Sequence, residues 1–158
     1  MSMDRKQLMD QLLDVFDEGY SLVEEYDSFP HKYGTVILYQ TEAQALHEIG
    51  EKPGVTNHEI AESLRKSPSA ISQIIRRLES KGWVEQVRDA ENRRQYQLYL
   101  TEQGWVIFRD HDIFEQRCLQ RTIDNLHAFS DADLMTYIQI QAKMNETFRI
   151  DIQESKSV

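Results

Sequence analysis

Apolar residues at Ile71, Ile74, Ile75 and Leu78 recur at the i, i+3, i+4, i+7 interval, which predicts a short helix buried along one stripe. Ser67 is suited to cap it, and Pro68 fits the first helical position, where a missing N–H costs nothing. Gly82 stands where a left-handed residue closes such a helix. The opposite face carries Ser69, Ser72, Gln73 and Arg76, with Arg77 on its flank and no carboxylate before Glu79. Just upstream, Thr56-Asn-His-Glu59 has the spacing of a capping box and opens a second short helix through Ile60, Ala61 and Leu64. Arg65 and Lys66 form the turn between the two. Two short helices joined this way predict a helix-turn-helix unit whose second helix reads DNA.

After Gly82 the period changes. Trp83 to Val87 and Gln95 to Leu100 read as two strands, and the polar link Arg88-Asp-Ala-Glu-Asn-Arg-Arg94 carries three arginines and no glycine. A helix-turn-helix followed by a hairpin with a basic tip is a winged helix. Before it, Thr41 is the expected cap of a helix with Ala45, Leu46 and Ile49, closed by Gly50 and the turn Glu51-Lys-Pro-Gly54, with Val55 a candidate third strand. Residues 28–34 read as a break, since Pro30 and Gly34 interrupt helix, and Val36 to Tyr39 is short, apolar and open in type.

Long amphipathic segments flank this unit. Residues 4–27 place Leu8, Leu12, Val15, Phe16, Tyr20 and Val23 on one stripe, with carboxylates opposite. From Thr101 a helix is expected to about Phe129, through Ile107, His111, Phe114, Cys118 and Leu126. Ser130 and Asp133 predict the cap of a last helix bearing Leu134, Tyr137, Ile138, Gln141, Met144, Phe148 and Ile152, frayed from about Gln153. The predicted class is mainly α (α+β), a single domain over 1–158, with residues 41–100 as the winged helix-turn-helix. Residues 4–27 and 102–152 supply dimerisation helices. Their stripes are too long for the reading unit to cover, so they require each other and a second copy. A twofold dimer sets its two reading helices about 34–36 Å apart. The alternative arrangement is a monomeric helical bundle with a winged-helix insert.

Charge sharpens this picture. The 158 residues carry a formal net charge of −9, which is unexpected for a DNA binder. Residues 55–101, however, hold eight Lys/Arg against six Asp/Glu, a net of +2, leaving −11 for the remainder. The excess of cations falls on this segment and the excess of acids on the rest, an asymmetry that orients a protein on DNA. No apolar run reaches the roughly eighteen residues of a membrane span. The acidic, amphipathic start is unlike a targeting peptide, and one cysteine, Cys118, suits a reducing compartment. A cytoplasmic location without membrane contact is the expectation.

Helix, winged helix-turn-helix, then Leu100-Thr-Glu-Gln-Gly104 leading into two long helices resembles the MarR family of bacterial transcription regulators, over about residues 8–152. Its most specific parts are Leu78-Glu-Ser-Lys-Gly82-Trp-Val84, the wing Asp89-Ala-Glu-Asn-Arg-Arg94 and Leu100-Thr-x-x-Gly104. The resemblance implies a homodimer on a pseudo-palindromic operator of double-stranded DNA, often released by a small-molecule effector held between the dimer helices and the reading unit. Two positions depart from the family pattern. Asn92 stands where an Asp usually pairs with the last wing Arg, and Gln86 replaces an Arg common soon after the reading helix.

Candidate DNA contacts are Thr56, Ser67, Ser69, Ala70, Ser72, Gln73, Arg76 and Arg77, with Arg93 and Arg94 at the wing tip. Candidate effector-pocket residues are His31, Tyr33, Tyr39, Trp105, Phe108 and His111. The same side chains could equally fill a dimer core. Of the five histidines, His31, His47, His58, His111 and His127, none forms HxxxH or HExxH, and CxxC is absent. His111 lies on an apolar stripe beside Asp110. Zinc-sensing members of the resembled family use an acid–His pair there, yet two further histidine ligands of theirs align with Ala45 and Glu115. No metal or cofactor is therefore expected, and a metal-responsive regulator is an alternative. Cys118, on the Phe114 stripe, is expected as a buried small hydrophobe, and peroxide-sensing members of the resembled family carry their reactive cysteine near the first helix, where this chain has none. No nucleophile elbow, phosphate loop or paired carboxylates suggest an enzyme. A protein-interaction module without DNA binding is the remaining alternative.

Overall fold

The structure, a computed structural model, describes residues 3–88 and 96–157. In chain order the elements are α1 (Arg5–Ser28), β1 (His31–Tyr33), β2 (Val36–Leu38), α2 (Gln40–Glu51), α3 (Asn57–Ser63), α4 (Pro68–Ser80), β3 (Val84–Arg88), β4 (Tyr96–Leu100), α5 (Glu102–Asn125) and α6 (Asp131–Ser155). They fall into two compact units, Met1–Glu115 and Gln116–Val158.

The core of the first unit is the inner surface of the winged helix. Leu38, Leu46, Ile49, Val55, Ile60, Ile71, Ile75, Leu78 and Leu98 are each at most 2% exposed. The stripe of α4 is therefore wholly inside, as its 3.6-residue period requires. Ser67 accepts from Ala70 N–H at 3.2 Å, and Pro68 occupies the first turn. At the other end Trp83 N–H donates to Leu78 C=O and Gly82 N–H to Glu79 C=O, with Gly82 at φ 74°. This is the paired closure that needs a left-handed residue. The same closure ends α3, where Lys66 N–H reaches Ala61 C=O, but there the left-handed residue is Arg65 at φ 52°. That geometry makes the tight turn into α4.

The break before α2 is a structured hairpin. β1 and β2 pair antiparallel with Tyr33 opposite Val36 and His31 opposite Leu38, turned at Gly34 (φ 57°). A two-residue turn led by a left-handed glycine suits a tight hairpin. The alternation buries Tyr33 and Leu38 together. Because the chain passes directly from Leu38 into helix, the cap of α2 is Tyr39, not Thr41. Glu42 accepts from Tyr39 N–H at 3.2 Å.

In the wing, β3 pairs with β4 from Val84↔Leu100 to Arg88↔Tyr96, and Val55 adds a single bridge to Leu98. The expected third strand is thus one residue long. Thr101 then fastens α5 by accepting from Gly104 N–H (3.1 Å) and donating to Gly82 C=O (2.6 Å). A Cβ at Gly104 would lie 2.0 Å from Trp83 O, so only glycine permits this approach. The helix ends at Asn125, four residues short of the expected Phe129.

α1 and α6 each contain no buried residue. On α1, Val15, Tyr20, Leu22 and Val23 are exposed, with Leu12 and Phe16 half-buried. In the second unit α6 begins with the Ser130–Asp133 capping box and exposes Tyr137, Ile138, Ile150 and Ile152. It continues to Ser155, beyond the expected fraying point. Cys118, expected to be buried, is half-buried.

Candidate nucleic-acid interface and histidine layer

With Ile71, Ile74, Ile75 and Leu78 inward, α4 turns Ser69, Gln73 and Arg76 to solvent, while Ala70 and Ser72 are half-buried at its edge. Ser67 and Ser69 hydroxyls lie 3.4 Å apart at the N-terminus of α4. This is a polar, cation-bearing ridge on a rigid helix, bounded by backbone N–H groups that favour an anion. Two predicted contacts are committed elsewhere. Thr56 is 8% exposed, and its hydroxyl donates to Glu59 Oε2 at 2.8 Å and accepts Glu59 N–H at 3.3 Å, closing the capping box of α3. Arg77 places Nε 3.0 Å from Glu42 Oε1, a carboxylate that is only 9% exposed on α2.

Lys52 and Thr56 both donate to Glu59, holding its carboxyl down at about 2, with the Lys52 bond the largest cause. On the wing, Arg88 donates from Nη2 to Tyr96 Oη at 3.1 Å and lies over that ring. Gln86, at one departure from the family pattern, donates to Glu79 Oε2 at 2.9 Å. Arg93, Arg94 and Asn92 lie outside the described residues.

Five of the six predicted pocket residues share one layer. Tyr26 stacks on His31 (4.1 Å between ring centroids), and His31 and Tyr33 both meet Phe114 (5.8 and 4.9 Å). Tyr33 touches His111 (5.3 Å), His111 touches His47 (5.0 Å), and His47 lies flat on Phe108 (5.1 Å, 7° between planes). Phe108 in turn meets Trp105 edge-on at 5.2 Å. The rings meet one another in a continuous series, and Tyr33 is fully buried with its hydroxyl 3.2 Å from Gln40 Oε1. Tyr39 is not among them. It is 54% exposed and lines a separate open depression with Pro30, Ile37, Glu42, Arg77 and Lys81. A residue entering a helix from a buried strand end points the other way from that strand's inward face, which is why Tyr39 and Leu38 part.

The layer recruits residues that sequence spacing did not bring together. His47 comes from α2, and Asp112 from α5 places Oδ1 3.5 Å from His47 Nδ1 and 3.9 Å from His111 Nδ1. Asp110, the acid next to His111 in sequence, packs instead against the hairpin turn, where a Cβ on Gly34 would come 2.0 Å from its Oδ2. His111 is 5% exposed, and burial pushes its imidazole pKa down, helped by His47 and opposed by Glu115 and Asp112. Burial thus favours the neutral form of its ring. Neither of its ring nitrogens, nor Nδ1 of His47, has a hydrogen-bond partner.

Residues 38–96, which run from the end of β2 through the reading helix to the start of β4, match the MarR family model. The chain carries a MarR-family domain. Solved structures of MarR proteins share the fold over nearly the whole chain. A MarR family transcription regulator, SP03579, superposes with a TM-score of 0.79 at 19% identity, covering 94% of this chain and 97% of its own. The zinc-responsive ZitR of Lactococcus lactis gives 0.74 at 20% identity, covering 89% and 99%. FabT of Streptococcus pneumoniae, solved in complex with DNA, gives 0.65 at 22% identity, covering 92% and 98%. No curated protein sequence matches this chain. Within the MarR-family domain, α3 and α4 hold the positions of the helix-turn-helix, and β3 and β4 form the wing. No described helix is long and apolar enough to cross a membrane.

Proposed function

We propose that this protein is a DNA-binding transcriptional regulator that acts as a homodimer on a pseudo-palindromic operator. One observation carries the reading: α4 is divided into a fully internal apolar stripe and an external row of Ser69, Gln73 and Arg76 with no carboxylate among them. Gln can pair bidentately with adenine and Arg with guanine in the major groove. Ser67, Ser69 and the first N–H groups of α4 serve phosphate. Arg76 and Arg77 add charge on the same helix, and Arg93 and Arg94, between β3 and β4 in sequence, serve phosphate or the minor groove. Thr56 supports the interface indirectly by fixing the start of α3. The MarR-family match and the likeness to a DNA-bound FabT support this assignment.

The homodimer is supported by the apolar residues that α1 and α6 leave exposed, a larger surface than a lone soluble chain carries without use. Ligand response is assigned to the layer of His31, Tyr33, Trp105, Phe108 and His111. An organic effector must displace rings there, because they already touch. Selection of duplexes from a random pool by the full chain, followed by a mobility-shift assay at stated salt, tests the function. A twofold-symmetric consensus is expected. Failure to retard any duplex overturns the reading in favour of a protein-interaction module.

A further inference from the structure

We infer that His47, His111 and Asp112 form a binding site for a divalent transition-metal ion of the zinc type, joining α2 to α5. Among the described residues this is the group of His, Cys and acidic side chains whose ligand atoms converge, all lying within 4.8 Å of one another. A tetrahedral zinc ion with bonds of about 2.0–2.2 Å holds its ligands about 3.4 Å apart. Two edges of the set are already near that value, at 3.5 Å from Asp112 Oδ1 to His47 Nδ1 and 3.9 Å to His111 Nδ1. The third edge, between the two imidazoles, is no longer than 4.8 Å.

Two further observations point to a ligand. Both nitrogens of the deeply buried His111, and Nδ1 of His47, lack any hydrogen-bond partner. Unsatisfied buried polar atoms are costly, and an ion that takes the lone pair of one nitrogen on each ring removes that part of the cost. The second is an outer partner in place. Glu115 Oε1 lies 3.8 Å from Nε2 of His111, the nitrogen facing away from the proposed ion. A carboxylate on that side favours the proton on Nε2, and so the tautomer that leaves Nδ1 free to coordinate. On the other ligand, the flat stacking of His47 on Phe108 sets the ring plane.

Two imidazoles and one carboxylate suit zinc, cobalt or nickel better than magnesium or calcium, which favour all-oxygen sites. Three protein ligands leave a fourth position for water or another donor. Because α2 packs on the reading helix through Glu42 and Arg77, an ion bridging α2 and α5 bears on the orientation of α4. The site itself does not depend on the DNA-binding reading, and its test uses no DNA.

The metal-stripped full chain is titrated with Zn2+ by calorimetry and with Co2+ by visible absorption, and its Tm is measured with and without Zn2+. One ion per chain, intense cobalt bands of a low-coordinate site and a Zn2+-dependent rise in Tm are expected. His47→Gln and Asp112→Asn, at half-exposed positions where folding is retained, should each weaken Zn2+ binding at least about 10–100-fold, the scale already seen for outer-sphere losses. Glu115→Gln should weaken it about 10-fold, while His58→Ala and His127→Ala leave it unchanged. Absence of cobalt bands and of a Tm shift overturns the inference. So does binding that survives His47→Gln and Asp112→Asn at wild-type strength.

Discussion

Arg77 Nε lies 3.0 Å from Glu42 Oε1, linking the reading helix to α2 across 35 residues of sequence. Glu42 is nearly enclosed whereas Arg77 remains 55% exposed. The pair is therefore asymmetric: removing the arginine strands a buried carboxylate, while removing the carboxylate returns the arginine to water. Arg77→Ala should cost about 1–3 kcal/mol in urea unfolding, discounted for the exposed partner. Glu42→Gln should cost less. A double-mutant cycle should show coupling of at least about 0.5 kcal/mol. Additive effects would mean the pair is incidental, and would return Arg77 to a role on DNA alone.

The exposed row of α4 and the wing should fail in different ways. Gln73→Ala or Arg76→Ala should cost about 1–3 kcal/mol on the best operator and relax preference at particular bases. Arg94→Ala should weaken many sequences alike and reduce the salt slope by about 0.9. Binding measured over a salt series on matched and mismatched duplexes separates the two. An Arg94→Ala protein with unchanged affinity and slope, beside a Gln73→Ala protein with intact preference, would refute the division of labour.

Charging an exposed helical stripe tests the dimer. Leu134 is half-buried on α6, one turn from the exposed Ile138. Leu134→Asp or Phe148→Asp should give monomers or insoluble protein by sedimentation and abolish operator binding. A folded mutant monomer with wild-type operator affinity would defeat the proposal.

Glu59 gives the fold an acid-sensitive point. Its folded pKa, about 2, lies below the ordinary value of 4.5, so its contribution is complete above pH 4.5 and is lost as pH falls toward 2. The carboxylate is 41% exposed, and solvent screening limits the effect to about 1 kcal/mol. Glu59→Gln should remove part of the stability loss measured between those pH values by chemical unfolding. An identical pH profile in the variant would show that Lys52 and Thr56 do not hold the carboxylate in solution.

What the sequence determined by itself was local. The inward stripe of α4, the Ser67 and Ser130 caps, the Thr56–Glu59 box and the glycine closure at Gly82 all depend on residues three to seven positions apart, where helical geometry leaves little choice. The winged order followed from the change of period after Gly82, and the MarR-family match rests on the same segment. Tertiary structure decided what distance in sequence conceals. Whether residues 31–38 made a loop or a hairpin depended on Tyr33 and Leu38 finding a common core. Once they did, the cap of α2 moved to Tyr39 and turned that ring away from the histidine layer. His47 and His111 are 64 residues apart, and no spacing rule joins them. Asp110 and Asp112 are equivalent in composition, yet the turn at Gly34 takes the first and the packing of α2 on α5 gives the second to the imidazoles. Local periodicity fixes which face a side chain is on. Only packing between elements fixes what it meets there.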